Sequence, residues 1–283
     1  EVEYETTTKT DSSGAVTSTS TTIKAEDAGT GVTTTATTGT SSATLDIVIP
    51  ADTATSGSAA SSTVSDESFE VATEQIEAVL EQLGQDVTPN VTILAESSSS
   101  STTSSTLSLA SDAVGMLADA GATVTVETST GRVALDSGSV KAASTGDVTI
   151  TVTAASESDL TDAQKAASSG SSVYELTLTV GGQTTHQLGG TATVTLRYAL
   201  SEGQTASGVR VWYMADDGTK ESYDCTYDAD AGTVTFQTSH FSKWVVGYEA
   251  PSESSSNLLM YAAIAVVVIA VIAVGAFVYT RHH

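Results

Sequence analysis

The last apolar run of this chain constrains it more than any other feature. From Leu258 to Tyr279 the sequence reads LLMYAAIAVVVIAVIAVGAFVY, 22 residues without a charge. At 1.5 Å rise per residue a helix of this length spans about 33 Å, against a bilayer hydrocarbon core of about 30 Å. Tyr261 and Tyr279 stand near its two ends, where amphipathic rings favour the headgroup zone. Arg281, His282 and His283 follow it, whereas Glu249, Pro251, Glu253 and a serine run precede it. Basic residues stay on the cytoplasmic side. The expectation is therefore a single transmembrane helix over 258–279, a cytoplasmic tail over 280–283, and an extracellular body before Ser256. A tail this short carries no signalling domain, so the run reads as an anchor. No basic-plus-apolar leader precedes Glu1, which reads as a processed N-terminus or a fragment boundary.

Charge and composition then limit what the body can be. The chain has 34 acidic and 10 basic residues, a formal net charge of -24. All 34 acids and nine of the basic residues precede the apolar run, which leaves -25 on the body. Nucleic acid is excluded as a partner, because a phosphate-binding face needs clustered Lys and Arg. Aromatic residues are only 5% of the chain, so a core must come mainly from Val, Leu, Ala and Ile in thin β layers. Cys225 is the one cysteine, and no intramolecular disulfide can form.

Hydrophobic periodicity and turn residues predict a mainly β fold with a few short helices. Residues 1–50 read as two hairpins of Thr-rich strands, a β stalk or partial domain; an O-glycosylated mucin-like tract is the competing reading. Residues 51–65 have the Ala/Ser/Thr/Gly composition of a linker. A helix follows, capped by Ser65 or Asp66, with Phe69, Ala72, Ile76, Val79, Leu80 and Leu83 on one stripe and Gly84 at its end. Residues 66–171 continue as an α+β module with a helix from Ser111 or Asp112 to Gly121. They also hold a hairpin turning at Ser129-Thr130-Gly131, one helical turn over 137–143, and a capping box at Thr161-Asp162-Ala163-Gln164. Residues 172–249 read as all β and sandwich-like, with a Gly181-Gly182 hairpin and a turn at Asp216-Asp217-Gly218. Residues 250–257 are a short spacer.

One run of phrases in this region carries a resemblance. SLASDAVGMLADAGATVTVETSTGRVALD, DVTITVTAAS, LTDAQKAA and VYELTLTVGGQTTHQLGGTATVTLRYAL form its first part. GVRVWYMADDGTKESYDCTYDADAGTVTFQTSHFSKWVVGYE completes it. Together, over residues 107–249, they resemble a module repeated in large S-layer-like surface proteins of anaerobic bacteria and gut-associated archaea. The resemblance implies an extracellular structural or adhesive role and brings no catalytic residues. A transmembrane anchor with a minimal basic tail is similar to archaeal surface proteins.

Side chains that could carry chemistry are few. The elbow Gly-x-Ser-x-Gly is absent, and His186 and His240 are the histidines outside the apolar run and its tail. Each reads as a packed or surface histidine. Trp212, Tyr213, Tyr223, Tyr227 and Trp244 read as core or sheet-face residues, with a carbohydrate platform as the alternative. Asp228, Asp230 and Gly232 echo a calcium loop, but its twelfth position would be Ser239 where a bidentate Glu is needed, so a hairpin turn is expected. Cys225 reads as a small buried hydrophobe. No catalytic, cofactor or metal residue is assigned and no cofactor is expected, with weak, distributed Ca²⁺ binding by the acidic surface as the alternative. Asn90-Val91-Thr92 is the one N-glycosylation sequon, which makes Asn90 the glycosylation candidate. The resulting expectation is a non-enzymatic structural protein of the cell envelope, an S-layer or surface-filament component. It would sit in the cell membrane and self-associate with other copies. A membrane-anchored adhesin binding glycan or protein is the alternative.

Overall fold

The computed structural model describes residues 2–10, 16–38, 43–83 and 87–250. The apolar run 258–279, its tail, Gly84 and residues 11–15 and 39–42 within the two expected Thr-rich hairpins lie outside the described residues. No described helix is long and apolar enough to cross a membrane.

The chain builds two sheets by alternating between them. Strands β1 (Val2–Thr10), β2 (Val16–Glu26), β3 (Thr33–Thr38) and β4 (Ala43–Pro50) meander antiparallel in a first sheet. A hairpin, β5 (Asp52–Ser56) and β6 (Ala59–Thr63), belongs to the second. Helix α1 (Asp66–Leu83) leads back to β7 (Pro89–Ala95), parallel to β4. Strand β8 (Ser104–Leu109) runs parallel to β6, and helix α2 (Ser111–Asp119) then leads to β9 (Thr123–Thr128), parallel to β7. Strand β10 (Gly131–Leu135) folds back on β9. Helix α3 (Ser137–Ala143) precedes β11 (Val148–Ala154), and helix α4 (Asp162–Ser168) precedes β12 (Ser172–Val180). Strand β13 (Gln183–Thr185) turns on β12, after which β14 (Gln187–Arg197) crosses to the first sheet. The last strands are β15 (Val209–Met214), β16 (Lys220–Tyr223), β17 (Cys225–Asp228), β18 (Thr233–His240) and β19 (Lys243–Tyr248).

The first sheet has the order β1-β2-β3-β4-β7-β9-β10-β14-β18-β17, and the second β16-β15-β19-β12-β11-β8-β6-β5. Both draw on strands from either side of residue 172. The expected boundaries at 66 and 172 are thus crossed by the sheets: β14 completes the sheet of β10, and β12 that of β11. Residues 1–248 form one compact unit. A linear reading missed this because β10 and β14 pair across the intervening β11, β12 and β13, and nothing local marks β11 and β12 as partners across residue 172. The sandwich is not confined to 172–249.

The supposed linker needs a second correction, because residues 52–63 form the β5–β6 hairpin. Gly57, at φ 62, supplies its left-handed turn position. Ala60 and Ser62 face inward, 1% and 3% exposed, between exposed Ala59, Ser61 and Thr63. That is strand alternation, hidden because Ala and Ser are too small to register as an apolar period.

Most local signals form as read. The Ser65 hydroxyl accepts the Ser68 amide of α1 at 3.1 Å, satisfying one of the donors a helix start leaves open. Phe69, Ala72, Ile76 and Val79 are buried against β3 and β4, the three larger side chains each worth about 1.5–3 kcal/mol of burial if fully removed from water. Asp136 caps α3 through Oδ1, which accepts the Ser139 amide at 2.8 Å, while Oδ2 accepts the Thr191 amide of β14 at 2.8 Å. Thr161 and Gln164 make the reciprocal capping box that opens α4. Gly181 and Gly182, at φ 56 and 77, make the two-residue turn between β12 and β13.

One hydrophobic core joins side chains of both sheets with those of α1, α2 and α3. The sheets are also tied by polar contacts. Tyr174 of β12 donates its hydroxyl to the Arg197 carbonyl at 2.6 Å, and the Ser105 and Thr130 hydroxyls meet at 2.8 Å. A smaller cluster of Leu160, Val173, Trp212, Met214 and Val245 lies on the other face of β12, β15 and β19. Strand β19 is therefore buried on both faces, with Trp244 and Val246 on one and Val245 on the other.

Candidate functional site

A cleft of about 480 Å³ lies where β12, the β13–β14 crossing, the end of β15 and the β18–β19 connection meet. Its lining brings His186 and His240 together, with Tyr213, Asp216 and the Glu175–Lys243 pair. The two histidines are far apart in sequence, but Gln187 pairs with His240 in the β14–β18 ladder. His186 stands one residue before that pair. It lies at the crossing between the sheets, between β13 and β14. The Phe241 amide donates to the His186 carbonyl at 2.8 Å, and His186 Nδ1 lies 3.0 Å from the Phe241 carbonyl.

His240 packs in an aromatic nest. Its ring stacks on fully buried Trp244 with centroids 5.4 Å apart, and meets Tyr213 edge-on at 5.1 Å. His240 Nε2 lies 3.1 Å from the Tyr223 hydroxyl. Burial pushes the imidazole below its ordinary pKa; Glu221 pulls it upward, and His186 pushes it further down. Lys243 and Glu175 stand opposite each other in the β19–β12 register and form a 3.1 Å ion pair. Thr177, Thr184, Thr185 and Ser242 add hydroxyls to the lining. Both imidazoles are engaged, by the Phe241 carbonyl and the Tyr223 hydroxyl, and not by a serine or threonine of the cleft. The arrangement offers hydrogen-bond donors and acceptors beside one aromatic face, which suits binding of a polar ligand better than bond cleavage.

The remaining singled-out residues have structural surroundings. Asn90 sits on the exposed face of central strand β7; its amide donates to Asp46 Oδ1 at 3.1 Å and accepts from the Thr123 hydroxyl at 2.9 Å. Asp228 Oδ1 accepts the amides of Asp230 and Ala231 at 2.9 and 3.0 Å, so this carboxylate closes a turn. Cys225 is half-buried on β17, and burial pushes its thiol pKa up. Tyr227 donates to the Tyr198 carbonyl at 2.8 Å, and the Lys220 ammonium lies 4.6 Å over the Trp212 ring. Among the described residues no group of three or more His, Cys, Asp or Glu is placed to hold a metal ion.

Comparison with family models, with curated proteins and with solved structures finds no match to this chain.

Proposed function

We propose that this chain is an extracellular structural component of a cell envelope, a β-rich body held at the membrane by residues 258–279. The observation that carries the reading is the division of the sequence into an acidic body and a 22-residue run without a charge. The resemblance over 107–249 and the long sheets, whose side chains are used for packing and turns, support it. Among the described residues the end strands of the two sheets, β1 and β17, β16 and β5, each pair along one edge, and open edges recruit partners. Protease added to intact cells displaying the full chain tests the topology. The expected result is loss of the body with a membrane-bound C-terminal fragment left behind. A body that resists protease until the cells are permeabilised overturns the reading.

The adhesin reading is favoured by one observation, the cleft holding His186, Tyr213, Asp216 and His240. A glycan array probed with the full chain in detergent tests it. Retention that is lost on Tyr213→Ala supports an adhesin; no retention rejects glycan binding.

A further inference from the structure

We propose that the open outer face of the second sheet, across β6, β8, β11 and β12, is the surface on which a second copy of this chain docks, by a two-fold contact between hydroxyl rows. The inference rests on the reading of the chain as a self-associating surface component and names the face it uses.

Strand registers place the hydroxyls in line. One row runs Ser61, Thr106, Thr151, Thr177 across the four strands; its neighbour runs Thr63, Ser108, Thr149, Thr179. All are half-buried or exposed, while the residues between them, such as Leu107, Ile150, Val152 and Leu178, are in the core. The Thr106 and Thr151 hydroxyls meet at 3.1 Å, and Ser104 and Thr153 at 2.8 Å, which orders the array. Among the described residues, charge in the strand registers of this face stands at its rim, at Asp52 on one side and the Glu175–Lys243 pair on the other, with Asp216 near Thr177 in the cleft.

That neutrality decides the occupant. Two bodies of formal charge -25 repel wherever their acidic surfaces meet, over about 8 Å at physiological ionic strength. A surface whose carboxylates are confined to its rim is where like copies can approach most closely. The outer face of the first sheet differs: it carries Lys24, Asp46, Glu127, Arg132 and the sequon at Asn90. A hydroxyl is both donor and acceptor, so a Ser/Thr array is complementary to itself, as an isologous two-fold contact requires. Size fits as well. Strands about 4.8 Å apart and residues about 3.3 Å apart make a patch near 20 by 20 Å, and two of them bury about 800–1,000 Å², the low end for a specific contact. Such a contact is weak in solution and strengthened by confinement to one membrane.

The test uses the full chain in detergent micelles, in a Cys225→Ser background. Thr151→Cys on the proposed face should cross-link to a dimer under mild oxidation, and Thr125→Cys on the outer face of the first sheet should not. The double variant Thr106→Asp/Thr151→Asp should weaken association at least tenfold by sedimentation velocity, with an unchanged circular dichroism spectrum. If the Asp pair unfolds the chain, the near-isosteric Cys variants still decide. Association that persists with the Asp pair, or that cross-links through Thr125→Cys instead, overturns the face while leaving self-assembly standing. A wild-type chain monomeric at every concentration overturns the face and the self-associating reading together.

Discussion

The two ends of the body are built from different material. Around β3, β4, β7 and β9 the core is aliphatic, made by Leu45, Ile47, Ile49, Val91 and Ile93 under α1. Around β12, β15, β18 and β19 it is aromatic, with Trp244 touching the rings of Tyr213, Tyr223, Phe236 and His240. Between residues 5 and 173 the only aromatic side chain is Phe69. Small aliphatic side chains fill a thin layer. Bulky rings with polar edges leave space beside them, and there the two histidines meet. In a chain poor in aromatics, their concentration at one end marks the place where titratable side chains gather.

The comparison breaks most directly at Trp244, which is fully buried and whose Nε1 has no hydrogen-bond partner among the described residues. Trp244→Ala should cost about 3–5 kcal/mol in denaturant unfolding, from lost burial and a cavity. Trp244→Phe should cost far less, about 1.5 kcal/mol or below, because it also removes the unpaired donor. Equal losses for the two would show that the indole nitrogen is satisfied in solution. At the aliphatic end, Leu45→Ala should cost about 2–5 kcal/mol, without the shift in tryptophan emission that a change near Trp244 produces. Since both ends belong to one core, fluorescence and far-UV circular dichroism should report a single coincident transition. Separate transitions would restore a domain boundary.

A smaller effect is expected at the hinge between the two materials. Asp136 caps α3 and also holds the Thr191 amide of β14. Burial alone would raise its carboxyl, but the hydrogen bonds from Ser139 and Thr191 outweigh it and hold the pKa below the ordinary value. Asp136→Ala should cost about 1–2 kcal/mol by thermal melting, a capping loss with one further amide left open. Asp136→Asn should recover part of it.

What the sequence made legible follows the same division. Local chemistry was readable: Ser65, Thr161 with Gln164, and Gly181-Gly182 punctuate elements through their own side chains or backbone freedom. The apolar stripe of α1 was readable because a helix repeats its pattern over many residues. The β5–β6 hairpin was not, since Ala60 and Ser62 are inward-facing without being recognisably apolar. The interleaving of the two sheets was not either, because register between β10 and β14 or β11 and β12 is fixed only by the assembled core. The cleft failed for that reason as well: His186 and His240 become neighbours only through the β14–β18 ladder.

The smallest effect sharpens the comparison at that cleft. His240 faces Tyr213 and Trp244, bonds Tyr223, and feels Glu221 and His186. Burial is the leading cause of its lowered pKa, so the unfolded chain binds a proton more readily than the folded one. Stability linked to His240 is therefore fully present above the ordinary histidine pKa of about 6.5 and is lost as pH falls through the folded value. The ring is partly open to solvent, so the loss should be smaller than that of Asp136→Ala. Unfolding midpoints measured from pH 7.5 down to 5 should fall more for the wild type than for His240→Gln. The fall should diminish in His186→Gln, which removes a like charge from the same cleft. If His240→Gln follows the wild-type profile throughout, the imidazole titrates as it would in water. The aromatic end would then be as indifferent to protons as the aliphatic one.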